Sequence, residues 1–287
     1  MAIMKEIKRR ISSVNSTKQI MKAMNLLSTA KLQKTRESLK NIQPLYENIK
    51  LVMDSIKQGA SGEEDNVFLE QRDVKNVLYV VITGDQGLCG GYNLNVQKEA
   101  LAYMNALKDK QEKIIAVGAK GRDYFRRRDK EIVQKYPAPS QRTVYEDAAK
   151  IGDHVVSMYT AGEVDEAYLV YTHFESALSH VPYIVKLLPI SANSDEDNDS
   201  NEDIMSFDPD INTFIEYAVP MYLKMFIYGA MMESAVCENA ARMTSMDAAT
   251  RNAEEIIDDL TLEYNRTRQS MITQEITEIV SGANALQ

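Results

Sequence analysis

The residues best placed to do chemistry lie in one short run, Gly84-Asp85-Gln86-Gly87-Leu88-Cys89-Gly90-Gly91, directly after the apolar stretch from Val77 to Thr83. Glycines at a strand-to-helix turn can cradle a phosphate with backbone N–H groups. The spacing here matches neither GxGxxG nor GxxxxGK[ST]. The next apolar stretch ends in Gly118-Ala119-Lys120-Gly121 without the acidic residue that would hold a ribose. A tight turn that lets the following helix approach the strand explains the same glycines without a ligand. Cys89 would stand near a helix N-terminus, but no motif pairs it with a base. His154, His173 and His180 have no metal-ligand spacing. The carboxylates between Ser194 and Asp203 lack the spacing and the sixth-position glycine of a calcium loop. The expectation is a chain that makes no bonds, holds no cofactor or metal, and works through its surfaces.

The elements around that loop are of two kinds. Val77 to Thr83 is short, β-branched and apolar on both faces, as a central parallel strand requires. A helix to about Lys108, a second strand from Lys113 to Val117, a helix from about Val144 to Ala161, and a hairpin of Ala167 to Phe174 with Val181 to Ile190 follow. Together they read as an α/β domain built on βαβ units. Pro182 and Pro189 place the last strand at an edge. Outside the domain, apolar residues recur every three or four positions. In the C-terminal segment they are Met243, Met246, Thr250, Ala253, Ile257, Leu260, Tyr264, Thr267 and Met271. In the N-terminal segment they are Ile7, Ile11 and Val14, then Leu32, Leu39, Ile42, Tyr46, Ile49, Met53 and Ile56. Between these the register slips and Ile20, Met24 and Leu27 take over. Pro44 predicts a kink or a fresh helix start, and Pro220 fits the first turn of the returning helix. A single helix with so narrow a stripe needs a partner. At ~1.5 Å per residue each arm would reach on the order of 75–100 Å.

The fold class is therefore α/β: a long antiparallel two-helix coiled coil formed by the N- and C-terminal segments, with an inserted Rossmann-like α/β domain. The boundaries are 1–58 for the first helix, 73–192 for the insert, 193–210 for an acidic linker and 211–287 for the second helix. A second polar linker spans Gly59 to Asn66. Nothing reads as a membrane span, and the first ten residues lack the apolar core of a signal peptide, so the chain is expected to stay in a bacterial cytoplasm. Two cysteines in a loop and a helix argue for a reduced compartment. The net charge of −9 conceals a basic first helix. Up to Lys57, Lys and Arg outnumber Asp and Glu by about three to one. Without groove-reading motifs or early aromatics, that charge fits a solvated face or an acidic protein partner, not nucleic acid.

Four segments, Ile7 to Leu32, Thr83 to Asn93, Ala240 to Ala253 and Asn265 to Ala283, closely resemble the gamma subunit of bacterial F-type ATP synthases, in the right order and over nearly the whole chain. The resemblance implies a central-stalk rotor inside a ring of three alpha and three beta subunits, with its α/β domain beside the epsilon subunit and the membrane c ring. Rotation would couple ion flow to ATP synthesis and hydrolysis on beta, and the chain would be a non-catalytic, peripheral subunit on the cytoplasmic face of the plasma membrane. Small residues such as Ala240, Ala241, Ala248, Ala249 and Ala253 would let the coil pack closely. By the same resemblance Arg268, Gln269, Thr273, Gln274, Glu275 and Glu278 meet the collar of the ring, Glu238 and Arg242 take part in energy coupling, and Met24 faces the lever of beta. Lys8, Arg9, Lys18, Lys22 and Lys31 complement that acidic lever, and Asp85, Gln86, Leu88 and Cys89 form a loop contact. Gln86 stands where the family often has Arg or Lys, Cys237 where it has Ser, and the acidic run from Ser194 to Asp203 is peculiar to this chain. Two other classes remain readable: a structural tether or chaperone, and a nucleotide-dependent enzyme using the glycine loop.

Overall fold

β1 (Asn76–Ile82) buries every residue from Val77 onward, because both of its faces are covered. Its odd residues Val77, Tyr79 and Val81 pack with Val96, Ala100 and Met104 of α2 (Tyr92–Ala106) and Phe125 of α3 (Ala119–Arg126). Its even residues Leu78, Val80 and Ile82 pack with Ile151 and Val155 of α4 (Tyr145–Thr160) and with Ile215, Val219, Leu223 and Ile227 of α5 (Ile211–Asn284). The period of two thus gives each face of the sheet its own helical layer. The remaining strands are β2 (Gln111–Val117), β3 (Glu131–Tyr136), β4 (Glu166–Phe174) and β5 (His180–Leu188). The order is β3-β2-β1-β4-β5, with β1 to β4 parallel and β5 antiparallel at one edge. This computed structural model describes residues 2–59, 66–70, 72–107, 110–139, 145–176, 179–190 and 211–284, the side chains of 2, 43, 46, 47, 49–59 and 211 excepted. The linker residues 60–65 and the acidic run from Ser194 to Asp203 lie outside that set, as do the side chains of Tyr46, Ile49, Met53 and Ile56.

The chain divides into two units, one of Met1–Ser28 with Met243–Gln287 and the other Thr29–Arg242. In the first unit the N-terminal part of α1 (Ala2–Gly59) pairs antiparallel with the C-terminal part of α5. Asn25 Nδ2 donates to the Met243 carbonyl at 2.9 Å, and Lys18 Nζ lies 3.6 Å from Glu254 Oε1. The fold class read from the sequence is the fold observed: paired terminal helices and an inserted α/β domain.

Four details depart from the sequence reading. The seam of α1 does not slip: the less exposed side chains run Met4, Ile7, Ile11, Val14, Lys18, Met21, Asn25 and Ser28 at unbroken steps of three and four. Ile20 and Leu27 are 61% and 63% exposed. The seam simply carries polar and small residues through this stretch, because a hydrogen bond and an ion pair substitute for apolar contact. Pro44 neither ends α1 nor begins a new helix. Pro220 sits nine residues inside α5, not in its first turn, since Ile215, Ala218 and Val219 bury an earlier helical turn against the sheet and offset the lost hydrogen bond. Finally, α3 and β3 were not foreseen. Eight and six residues are too few to show a period, and β3 is a half-exposed edge strand.

Candidate functional site

The glycine loop leaves β1 at its C-terminal end, where an open α/β sheet ordinarily binds ligands. The Gly84 amide and the first amides of α3 beside the loop are already committed within the chain. Gly84 N–H donates to Asn93 Oδ1 at 2.7 Å, Ala119 N–H to Asp85 Oδ1 at 2.8 Å, Lys120 N–H to the Gly84 carbonyl at 3.0 Å and Gly121 N–H to Thr83 Oγ1 at 2.9 Å. The carboxylate of Asp85 therefore occupies the N-terminus of α3, and its second oxygen accepts from Ala138 N–H at 3.3 Å. An anion would meet a negative charge there, not a cradle of free amides. Gly118, at φ 95°, demands glycine twice: a Cβ would stand 2.2 Å from the Thr83 carbonyl oxygen.

On its inner side the loop rests on α5. The Glu238 carboxylate is 1% exposed and lies so close to Gly84 that a Cβ there would come within 2.9 Å of it. Arg242 Nη2 donates to Glu238 Oε1 at 2.5 Å and to the Gly87 carbonyl at 3.3 Å. Glu238 Oε2 and Arg242 Nε have no hydrogen-bond partner among the described residues. Cys89, Tyr92, Cys237 and Ala241 pack together beside this pair. Burial raises the Cys89 thiol above its ordinary range and the Glu238 carboxylate adds to the rise, while burial followed by Glu233 raises Cys237. Both cysteines are free thiols held protonated, so neither is an activated nucleophile. The four loop residues singled out by sequence divide by direction: Gln86 and Leu88 face solvent, while Asp85 is half-buried and Cys89 fully buried. Glu238 and Arg242 are likewise turned into their own unit.

On the helix pair, Lys8, Arg9 and Lys22 are exposed, Lys18 turns into the seam toward Glu254, and Met24 is half-buried. Lys31, in the other unit, is exposed. Arg268, Gln269, Thr273, Gln274, Glu275 and Glu278 are all exposed, and Gln274 Nε2 donates to Glu278 Oε1 at 2.9 Å. Ala253 is buried in the seam, whereas Ala248 is exposed. Sequence reasoning missed a second set of residues among these. Ile272, Ile276, Ile279 and Val280 are exposed and recur at steps of four, three and one, one position out of register with the seam at Leu260, Tyr264, Thr267 and Met271. On α1 the exposed Ile20 and Leu27 flank the half-buried Met24, at steps of four and three. Each helix thus presents apolar side chains outside the seam, and the offset of these stripes from the heptad was the signal that could have found them.

Two terminal helices paired antiparallel, with a doubly wound α/β domain inserted in the chain between them, define the class of protein by its fold. The ATP synthase family profile matches residues 3–286. The chain is 42% identical over 289 residues to the ATP synthase gamma chain of Alkaliphilus metalliredigens, covering 99% of each. It is 41% identical over 299 residues to the sodium ion specific ATP synthase gamma chain of Acetobacterium woodii, covering 98% of each. Among solved structures, a chain of the Euglena gracilis mitochondrial ATP synthase aligns with TM-score 0.71 at 19% identity, over 99% of this chain and 95% of that one. A chain from the central stalk and c ring of the Tetrahymena thermophila enzyme aligns with TM-score 0.59 at 23% identity, over 80% and 99%. The chain belongs to the ATP synthase gamma-chain family.

Proposed function

We propose that this chain is the central-stalk rotor of an F-type ATP synthase, turning inside a ring of three alpha and three beta subunits. In this role it couples ion flow through the membrane c ring to ATP synthesis and hydrolysis on beta, and makes no bonds itself. The observation that carries the reading is the helix pair with its exposed apolar side chains, Ile20 and Leu27 on α1 and Ile272, Ile276 and Ile279 on α5. A helix pair that has satisfied its own seam and still exposes such side chains is built to sit within other chains. The exposed polar residues Arg268, Gln269, Thr273, Gln274, Glu275 and Glu278 then meet the collar of the ring, and Lys8, Arg9 and Lys22 the lever of beta. Gln86 and Leu88 of the glycine loop make a further partner contact. The α/β domain sits beside epsilon and the c ring, which holds the chain peripherally at the cytoplasmic face of the membrane.

The test is assembly of the chain with the alpha and beta subunits, followed by ATP hydrolysis and single-molecule rotation assays. Multisite hydrolysis and rotation that depend on the chain support the reading. An equally active alpha–beta ring in its absence, or a chain that never co-purifies with the ring, overturns it.

A further inference from the structure

The half of the helix pair toward Ser28 is not fixed by apolar packing. On α1 its seam runs Lys18, Met21, Asn25 and Ser28, and on α5 it is lined by Met243, Met246, Thr250 and Ala253. Methionine adapts to many neighbours, and the Thr250 hydroxyl is turned back onto its own helix, where it donates to the Met246 carbonyl at 2.7 Å. Lys18 and Glu254 lie 3.6 Å apart with the glutamate 56% exposed, so two long side chains in water hold no fixed geometry. Asn25 is different. Its short side chain is half-buried and donates from Nδ2 to the Met243 carbonyl at 2.9 Å, so its acceptor belongs to the main chain of the facing helix and not to a mobile side chain.

An asparagine in a seam costs stability against leucine, and it is a device by which coiled coils specify one register. Carbonyls that face the same way on an α-helix recur three or four residues apart, about 5 Å along the axis, so an intermediate height offers Asn25 no acceptor. The bond also fixes the roll of α1. Side chains reach about 5–6 Å from a helix axis, and a roll of ~20° carries an outer tip roughly 2 Å. The exposed Ile20 and Leu27 and the half-buried Met24 are such tips. We infer that Asn25 is a positioning residue: its bond to the Met243 carbonyl sets the height and roll of α1 against α5, and so the direction in which Ile20, Met24 and Leu27 meet a surrounding subunit. Asn25 acts on that subunit only through them. The functional half of the inference rests on the rotor reading, whereas the setting of the two helices does not.

Two variants of the full chain separate the hydrogen bond from packing. Asn25→Leu fills the seam with an apolar side chain of similar size and is expected to raise the melting temperature. Asn25→Asp keeps shape and polarity but has no N–H to give, and is expected to lower it. Both are expected to lose the single setting. Spin labels at Gln19→Cys on α1 and Glu255→Cys on α5, two exposed positions, read it as a distance distribution, while the native thiols Cys89 and Cys237 are buried and stay unlabelled. The native chain should give one narrow population, and each variant a second one displaced by about 5 Å. Assembled with alpha and beta, both variants are expected to lose about threefold or more in ATP-driven turnover with an unchanged KM for ATP. If Asn25 served stability alone, activity would follow stability, and Asn25→Leu would match or exceed the native chain. That result, or native distances in either variant, overturns the inference. A native chain that neither assembles nor supports turnover overturns the rotor reading, and the distance measurement then decides the setting of the helices by itself.

Discussion

In the unit from Thr29 to Arg242, β1 is covered on both faces and large side chains such as Tyr79, Leu169 and Phe125 are wholly enclosed. In the helix pair, the seam contains Lys18, Asn25 and Ser28 on one side and Thr250, Ala253 and Thr267 on the other, and most side chains after Met271 are exposed. The sheet gains its stability from apolar volume, whereas the pair is held by a narrow line of contacts with polar stitches. A region of the second kind is stable enough to stay helical and leaves its outer faces available to other chains. That difference sets what each region tolerates.

The same substitution in both places sharpens the comparison most. Leu169→Ala, at a fully enclosed site on a central strand, should cost about 3–5 kcal/mol, and Leu260→Ala, at the 9% exposed seam, about 2 kcal/mol, because the seam can relax around the lost volume. Denaturant melts of the two variants measure it, and equal losses would erase the distinction. Asn25→Ala removes the hydrogen bond to the Met243 carbonyl and should cost about 1 kcal/mol, visible as faster amide exchange in both helices of the pair and none in the sheet.

The α/β unit also contains a charge that burial disfavours. Glu233, 2.8 Å from His173 Nδ1, has its pKa raised from 4.5 by desolvation, which the histidine only partly counters. The folded state then holds the proton more tightly than the unfolded one. Its favourable increment is complete below pH 4.5 and is lost as pH rises through the raised value. Glu233→Gln should therefore gain in melting temperature over the native chain as pH rises across that range. A difference that does not change with pH would refute the assignment. The smallest effect belongs to Lys18→Ala. Its partner Glu254 is 56% exposed, so the loss should be roughly 0.5 kcal/mol or less and should shrink with added salt.

The paired helices, the parallel strands β1, β2 and β4, and the hairpin were legible because each carries an apolar pattern long enough to recognise. The seam of α5 from Met243 to Met271 could be read residue by residue. The course of α1 near Lys18 could not, because the apolar residues Ile20 and Leu27 mark an outer stripe while Lys18 and Asn25 occupy the seam. Sequence pattern equates apolar with inward, and here the exposed Ile20 and Leu27 reverse it. The loop was legible as a turn without nucleotide spacing. Which of its residues point outward was not, since Asp85 turns in to cap α3 and Leu88 turns out at positive φ.

Periodicity, composition and motif spacing, all local along the chain, were enough to specify two long helices, an α/β insert and a family. Only the tertiary structure decided that Glu238 and Arg242, 154 and 158 residues beyond Gly84 in the numbering, lie under the glycine loop and not on a free surface. The reason is physical: a buried charge is recognised by what surrounds it, and its surroundings come from a strand end and a helix that the fold alone brings together.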